Sequence, residues 1–200
     1  MGGWDEDSPQ TPRQTLESVN IVKALQAAAG IVADAIAVTD SFQITLKSVC
    51  HIHQQAMTGV IETAGRFRTA DVLIRGSKHV PPSTVEVVLL VDEMLRATSS
   101  VTGGPFARAA YTLWRLNWIH PFDDGNGRTA RVLAMMIIFA GLRRPMVTRR
   151  DQPTFLDRLS WRKLEYNDAL EAADAAFKRG TVDVSMLTQL LFEVVRDSLQ

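Results

Sequence analysis

The chain has one cysteine, Cys50, in 200 residues, so it cannot form an internal disulfide and needs no oxidising compartment to fold. It has no excess of either charge, because 22 Lys and Arg residues balance 22 Asp and Glu residues. A balanced charge gives no electrostatic sign of a nucleic-acid-binding protein, so we expect no nucleic-acid partner. The sequence also lacks G-x-x-x-x-G-K-[ST], which excludes a P-loop phosphate site.

No hydrophobic run in the sequence is long enough to span a bilayer, since the longest, residues 132–142, has eleven residues. The first thirteen residues contain three acidic residues and two prolines. A signal peptide has instead a basic start followed by an apolar segment. We therefore expect no membrane partner and a cytoplasmic protein, with residues 1–13 as a flexible polar N-terminus.

The overall composition is that of a globular protein, with 46% hydrophobic and 22% charged residues. Apolar residues recur at helical spacing through most of the chain, and Asp40 or Ser41 is predicted to cap the second helix. One stretch differs, because the apolar residues 72–74 are followed by a glycine turn and by Pro81–Pro82, a pattern typical of a hairpin. The sequence predicts a single domain over residues 14–200 with an all-α fold, a helical bundle with one inserted β-hairpin.

Twelve consecutive residues, 120–131, combine side chains that have little use in a core: HPFDDGNGRTAR. Gly125, Asn126 and Gly127 precede a strongly apolar helix, whose first amides lack intrahelical partners and lie at the positive end of the helix dipole. Such a helix start binds phosphate, and Asn126 is expected to add a side-chain donor. Arg128 and Arg131 are three residues apart and share a helix face, which suits a di- or triphosphate.

The acidic and imidazole groups of the same stretch predict a cation site and a base. The Asp124 carboxylate would repel a phosphate group unless Mg²⁺ bridged the two. His120, with an ordinary pKa of about 6.5, is suited to remove a proton from a hydroxyl near neutral pH. The cation and the arginines would stabilise the attack of that hydroxyl on phosphorus. Pro121 and Phe122 would fix the direction of the loop and anchor it to the core.

This stretch resembles the signature of the Fic family, H-P-F-x-[D/E]-G-N-G-R-x-x-R, and every fixed position is present. The resemblance extends over about residues 16–199. The run Gly65-Arg66-Phe67-Arg68 before the expected hairpin resembles the family's flap, which holds the target segment. The resemblance implies protein AMPylation, in which AMP is transferred from ATP to a Ser, Thr or Tyr hydroxyl with Mg²⁺ and release of pyrophosphate.

The resemblance also implies a role for each matching residue. His120 would be the catalytic base, and Asp124 would hold Mg²⁺. A target protein would lie along the flap, between Val72 and Val80, by adding a strand to it. Residues of the loop and of the following helix would bind the nucleotide, the two arginines by its β- and γ-phosphates: Phe122, Gly125, Asn126, Gly127, Arg128 and Arg131.

Two features bear on activity and its control. Gly127 stands where the family's Doc-like branch, which phosphorylates its target, carries lysine, so nucleotidyl transfer is favoured. The family's inhibitory [S/T]-x-x-x-E-[G/N] segment, whose Glu pairs with the second arginine, here Arg131, is not found. Thr58 to Glu62 comes nearest but is followed by Thr63. Inhibition is lost, or it lies in an antitoxin partner or in a segment outside this sequence, and these alternatives stay open.

Other functions and partners also stay open at this point. The chain is alternatively a regulatory module that binds a nucleotide without transferring it, or a member that removes AMP or transfers another nucleotidyl or phosphoryl group. A homodimer is a further alternative.

His51 and His53 alternate on a helical stretch and are poor joint zinc ligands, so we expect hydrogen bonds in the core or between helices. Trp114 and Trp118 are expected to pack in the core.

Overall fold

The fold is a bundle of helices, in which the computed structural model describes residues 11–38, 42–74, 76–146 and 153–198. These residues contain eight α-helices and no β-strand. The helices are α1 (Pro12–Val38), α2 (Leu46–Met57), α3 (Val87–Ser100), α4 (Gly104–Ile119), α5 (Asn126–Gly141), α6 (Phe155–Trp161), α7 (Lys163–Lys178) and α8 (Ser185–Ser198). A short 3-10 turn, Thr84–Glu86, leads into α3. The expected all-α fold is confirmed.

The centre of the bundle is formed by α4 and α5, which pack against each other. Helices α3 and α8 pack on α4, while α1 and α2 pack on α5. Every residue from 132 to 138 in α5 is buried, as expected for a helix that is apolar on all sides. The loop that joins α4 to α5 holds the first part of the twelve-residue motif. The motif therefore lies at the end of the two most buried helices.

Helix α2 begins several residues later than the sequence predicts. Its N-cap is Thr45, whose hydroxyl accepts a hydrogen bond from the Ser48 N–H at 3.2 Å. In return, Ser48 Oγ accepts from the Thr45 N–H at 2.8 Å. This reciprocal pair is a capping box with serine where glutamate or glutamine is usual, so the sequence pattern does not indicate it. The predicted caps, Asp40 and Ser41, lie outside the described residues.

The predicted β-hairpin is not confirmed. The described residues between Asp71 and Pro82 contain a turn, in which the Ser77 N–H donates to the Ile74 carbonyl at 3.1 Å, but no strand pairing. Two strands alone are marginal in water, and Pro81 and Pro82 have no N–H to donate. We call residues 71–82 the flap segment; side-chain hydrogen bonds at its two ends hold it in place, as described below.

Helix α1 is the one described helix that is long and apolar enough, by length and composition, to cross a membrane. Its most apolar 18-residue window has a mean hydropathy of 1.7, and 22% of that window is buried. Within the fold, α1 packs on α2 and α5 through residues such as Ala24, Leu25 and Ala28.

The first turn of α1 begins at Pro12, so the N-terminus predicted to be flexible becomes helical one residue before Arg13. Residues 1–10 lie outside the described residues.

Two helical glycines provide a matched test of packing. A Cβ added at Gly141, in α5, would lie 2.5 Å from Pro105 Cβ, whereas one added at Gly30, in α1, would meet nothing within 4 Å. We expect Gly30→Ala to raise the free energy of unfolding by about 0.5–1 kcal/mol. Gly141→Ala should lower it by about 1–3 kcal/mol because the helix ends must move apart. Urea unfolding of both variants measures this, and equal effects would contradict the close contact.

Candidate active site

Helix α4 ends at Ile119, and His120 is its C-cap in a left-handed conformation, with φ 52° and ψ 58°. That conformation costs a residue with a side chain about 1–2 kcal/mol, so the surrounding structure must hold it. The Nδ1 atom of His120 lies 3.2 Å from the Asn117 carbonyl oxygen. Because a carbonyl oxygen can only accept, Nδ1 carries the proton, and Nε2 is left as the basic nitrogen.

The environment of His120 favours its neutral form. Burial lowers the pKa of His120 below its ordinary value, and the positive charge of Arg68 and the neighbouring His79 lower it further. The hydrogen bond to the Asn117 carbonyl and the charge of Asp124 act in the opposite direction. The net shift is downward, so the imidazole is ready to accept a proton near neutral pH, as a general base must be.

The loop after His120 is anchored by Phe122, whose side chain is fully buried. Both polar groups of the Phe122 backbone are satisfied by one side chain, because its N–H donates to Asn126 Oδ1 at 2.9 Å and its carbonyl accepts from Asn126 Nδ2 at 2.8 Å. The Asn126 side chain, 1% exposed as a residue, is therefore not free to contact an anion, contrary to the sequence-based expectation. Phe122 likewise presents no side-chain surface to a ligand.

His53, on α2, fixes the other side of the loop. Its ring stacks on the Phe122 ring with 3.6 Å between centroids and 2° between planes. His53 Nδ1 accepts from the Gly65 N–H at 2.8 Å, so Nε2 must carry the proton and donates to the Asp124 carbonyl at 2.9 Å. The expectation of an interelement hydrogen bond is confirmed for His53, and burial lowers its pKa because the charged form is disfavoured there.

Helix α5 starts directly after Gly125, which has φ +78°. A Cβ at this position would lie 2.6 Å from Met57 Sδ, so only glycine fits the approach of the loop to α2. The Gly125 N–H donates to Asp124 Oδ1 at 2.6 Å. The next amides, of Asn126, Gly127 and Arg128, belong to the first turn and have no partner within the helix. These are the amides that the sequence predicts to bind an anion.

Four charged side chains of α1 and the motif form a closed ring of alternating sign. Arg13 contacts Asp124 Oδ2 at 2.7 Å and Glu17 Oε1 at 3.0 Å. Arg128 contacts the same Glu17 oxygen at 3.4 Å and Asp124 Oδ1 at 3.5 Å. Sequence analysis missed Arg13 and Glu17 as site residues, since nothing in their local pattern indicates a distant partner. A cation at Asp124 or a phosphate at Arg128 would have to displace Arg13 or Glu17.

Arg131 lies beside this ring without joining it. No carboxylate in the described parts of the chain lies within ion-pair distance of Arg131. Arg128 and Arg131 line one cavity of about 500 Å³ together with Gln14, Glu17 and Ser18 of α1. The two arginines therefore face one space, as their spacing predicts, and Arg131, which donates a hydrogen bond to the Tyr166 hydroxyl, has no charge partner among the described residues.

A second cavity, of about 330 Å³, is lined in part by His120. His79 of the flap segment, Trp118 of α4 and Asp174 of α7 are among its lining residues. His79 Nε2 donates to the Trp118 carbonyl at 2.7 Å, which ties the flap segment to α4 near the candidate base. Trp114 packs in the core as expected, whereas Trp118 is only partly buried and lines this cavity.

The residues present fit a metal ion only in part. Among the described residues, no group of three His, Cys, Asp or Glu side chains is placed to hold a metal. Mg²⁺, however, is commonly bound through one or two carboxylates, several waters and substrate phosphates. Asp124 meets that requirement if the cation displaces Arg13, because the Asp124 side chain is partly exposed. A site completed by the substrate is therefore compatible with the structure.

This chain is similar in sequence to proteins of one known family. The model of the Fic/DOC family matches residues 43–138. The chain is 34% identical over 115 residues to a protein adenylyltransferase Fic of Drosophila persimilis, an alignment covering 55% of this chain and 22% of the relative. It is 32% identical over 111 residues to the protein of that name in Culex quinquefasciatus, covering 54% and 22%. The chain thus spans 22% of the length of these curated relatives.

Two solved structures have the same fold. One is a Fic family protein from Desulfovibrio desulfuricans G20, with a TM-score of 0.70, 21% identity, and coverage of 94% of this chain and 53% of that one. The other is Fic-1 from C. elegans, with a TM-score of 0.71, 20% identity, and coverage of 96% and 51%. At these identities the likeness concerns the fold alone.

The buried imidazole of His53 predicts a loss of stability in acid. Its pKa is lowered in the folded state, so the unfolded state binds more protons as the pH falls below about 6.5, and the free energy of unfolding decreases there. His53→Gln should be less stable at pH 8 by about 1–2 kcal/mol, because a buried hydrogen bond is lost. It should also show a shallower decline below pH 6.5.

Denaturant unfolding between pH 5 and pH 8 measures this difference between His53→Gln and the wild type. His51→Gln, on the same helix but outside the contact with Phe122, is the control for loss of a histidine. A His53→Gln slope as steep as that of the wild type would contradict the assignment.

Proposed function

We propose that this chain, whose residues 43–138 match the model of the Fic/DOC family, transfers AMP from ATP to a hydroxyl side chain of a target protein. The observation that carries the proposal is the arrangement around His120. The Nδ1 atom of His120 faces the Asn117 carbonyl, which leaves Nε2 basic, and His120 lines a cavity of about 330 Å³ six residues before α5 begins. The curated relatives bear the name protein adenylyltransferase, which supports the same chemistry.

In the proposed reaction, His120 Nε2 accepts the proton of the target hydroxyl. The hydroxyl oxygen attacks the α-phosphorus of ATP, the bond from that phosphorus to the bridging oxygen breaks, and pyrophosphate leaves with the bond's electron pair. The target oxygen is then joined to AMP, and the His120 proton passes to solvent. Nothing in this sequence of steps requires a covalent intermediate on the protein.

The protein's part in this reaction is to hold the phosphates and stabilise the developing charge. Arg128 and Arg131 would bind the β- and γ-phosphates from the cavity they line, and the first amides of α5 would face the oxygens beside the attacked phosphorus. Asp124 would hold Mg²⁺, which supplies neutralisation of phosphate charge when bound. The cavity lined by Trp118 and His120 is large enough to accept the nucleoside.

The flap segment supplies the proposed binding surface for the target. Leu73 and Val80 are 82% and 68% exposed, and Ile74, Ser77 and His79 of this segment line the cavity that also contains His120. A target segment that pairs with it in an extended conformation would present a hydroxyl side chain close to His120. Strand pairing would then form when the target binds, since the flap segment alone is marginal as a hairpin.

Labelled ATP tests the proposed transfer directly. The purified chain, with Mg²⁺ and cell lysate, should label protein from ATP that carries the label on the α-phosphorus. His120→Ala should reduce the rate at least 100-fold, because a general base contributes about 10²–10⁴. His51→Ala, a histidine that lines neither cavity, is the control and should retain the rate. Labelling from the γ-phosphorus would instead indicate phosphoryl transfer, and ATP binding without any transfer would indicate a nucleotide-binding module.

The ion pair between Arg13 and Asp124 predicts competition with the cation. Arg13→Ala should lower the Mg²⁺ concentration that half-saturates ATP binding by about two- to fivefold, since an exposed pair contributes up to about 1 kcal/mol. Calorimetric titration of ATP at several Mg²⁺ concentrations measures this. Arg96→Ala, which removes an exposed pair with Asp92 on α3, is the control. A higher Mg²⁺ requirement in Arg13→Ala would show that Arg13 assists binding.

A further inference from the structure

Arg68 is the least exposed arginine among the described residues, at 3%. Its guanidinium donates to three backbone carbonyls. Nε donates to His120 O at 2.8 Å, Nη1 to Ala70 O at 3.0 Å and Nη2 to Pro82 O at 2.5 Å. Among the described residues its one carboxylate partner, Asp71, lies 3.5 Å away with a side chain that is 70% exposed. The buried cation is therefore compensated mainly by carbonyl dipoles.

These contacts lie where α4 ends and its terminal carbonyls need partners. The last carbonyls of a helix have no intrahelical donors and form the negative end of its dipole. Arg68 supplies a donor and a positive charge to the C-cap carbonyl of His120. Its backbone N–H also donates to the Pro121 carbonyl at 2.9 Å. The carbonyls of His120 and Pro121 are thus both fixed by Arg68.

The same guanidinium joins the two ends of the flap segment. Ala70 immediately precedes the segment, and Pro82 is its last residue. The connection is reinforced around it, because Thr84 Oγ1 donates to Arg68 O at 3.1 Å and the Thr84 N–H donates to Asp71 Oδ1 at 2.7 Å. The planar fork of an arginine can reach several acceptors at fixed angles, which a single ammonium group cannot do.

We propose that Arg68 is a positioning residue for the reaction, because it holds the left-handed peptide of His120 and both ends of the flap segment in one fixed arrangement. This inference rests on the proposed function for its kinetic consequence. Arg68 lines neither cavity, so it does not contact the nucleotide. Its effect is on the direction of the His120 imidazole and on the position of the surface along which the target would lie.

Two substitutions separate the geometry from the charge. Arg68→Lys keeps a positive charge but cannot bridge three carbonyls, whereas Arg68→Gln removes the charge. We expect Arg68→Lys to lower kcat about 100-fold, as a misplacement of about 1 Å can, while the Kd for ATP stays within about twofold of the wild type. Arg96→Lys and Arg96→Gln are matched controls, because Arg96 is exposed, pairs with Asp92 on α3 and lines neither cavity. They should retain kcat.

A titration of His120 followed by NMR gives a result that does not depend on activity. The charged and titratable groups that face His120 are Arg68, His79 and Asp124. Removing the positive charge of Arg68 favours the imidazolium, so the pKa of His120 should rise in Arg68→Gln and stay close to that of the wild type in Arg68→Lys. His120→Ala identifies the resonance. The pH at which the rate falls off in acid should rise in Arg68→Gln as well.

The outcomes decide between positioning and stability alone. A purely structural Arg68 would lower the melting temperature, yet the folded fraction of both variants would keep the wild-type kcat; that result would overturn the proposal. If Arg68→Gln does not fold, a normal kcat in folded Arg68→Lys still contradicts it. If the wild type transfers nothing, the proposed function fails, while the titration of His120 and the ATP affinities still test Arg68.

Discussion

The site depends on the burial of Phe122, which holds a polar loop against the hydrophobic core. A buried loop must satisfy its backbone N–H and carbonyl groups, and the Asn126 side chain does this for both groups of Phe122. The ring then stacks on His53, which in turn binds the Asp124 carbonyl. His120 lies two residues before this anchor and Asp124 two residues after it. The candidate base and the Asp124 carboxylate thereby both lie within two residues of one buried ring.

The charges around the loop are arranged so that an anion meets preoriented donors. Arg128 is paired with Glu17 and Asp124, whereas Arg131 has no carboxylate partner in the part of the chain that the structure describes. The sequence resemblance predicts an inhibitory contact at Arg131, and no described carboxylate makes one. The carboxylate that α1 does contribute, Glu17, reaches the first arginine instead, and Arg13 covers the carboxylate expected to hold the cation. Helix α1 is therefore part of the site.

Several features of the site were predictable because they are local. The order of residues 120–131 places two arginines on one face of α5 and the glycine turn at its start, and the structure has both. The side chain of Asn126 was misjudged for a physical reason. An amide before a helix suits an anion or a backbone partner equally well, and only the burial of Phe122 selects the second. The hairpin is not confirmed among the described residues, and an apolar triplet, a turn and two prolines also suit an unpaired segment.

The sequence by itself determined the helical bundle, the motif and the identity of the candidate base, because periodicity and a run of twelve residues are properties of neighbouring positions. Only the tertiary structure decided what holds that motif. His53 and Asp124 are 71 positions apart, Arg68 and His120 are 52 apart, and Arg13 and Asp124 are 111 apart. Such contacts depend on how α1, α2 and the flap segment pack around α5, and no local pattern of residues encodes a distance between helices.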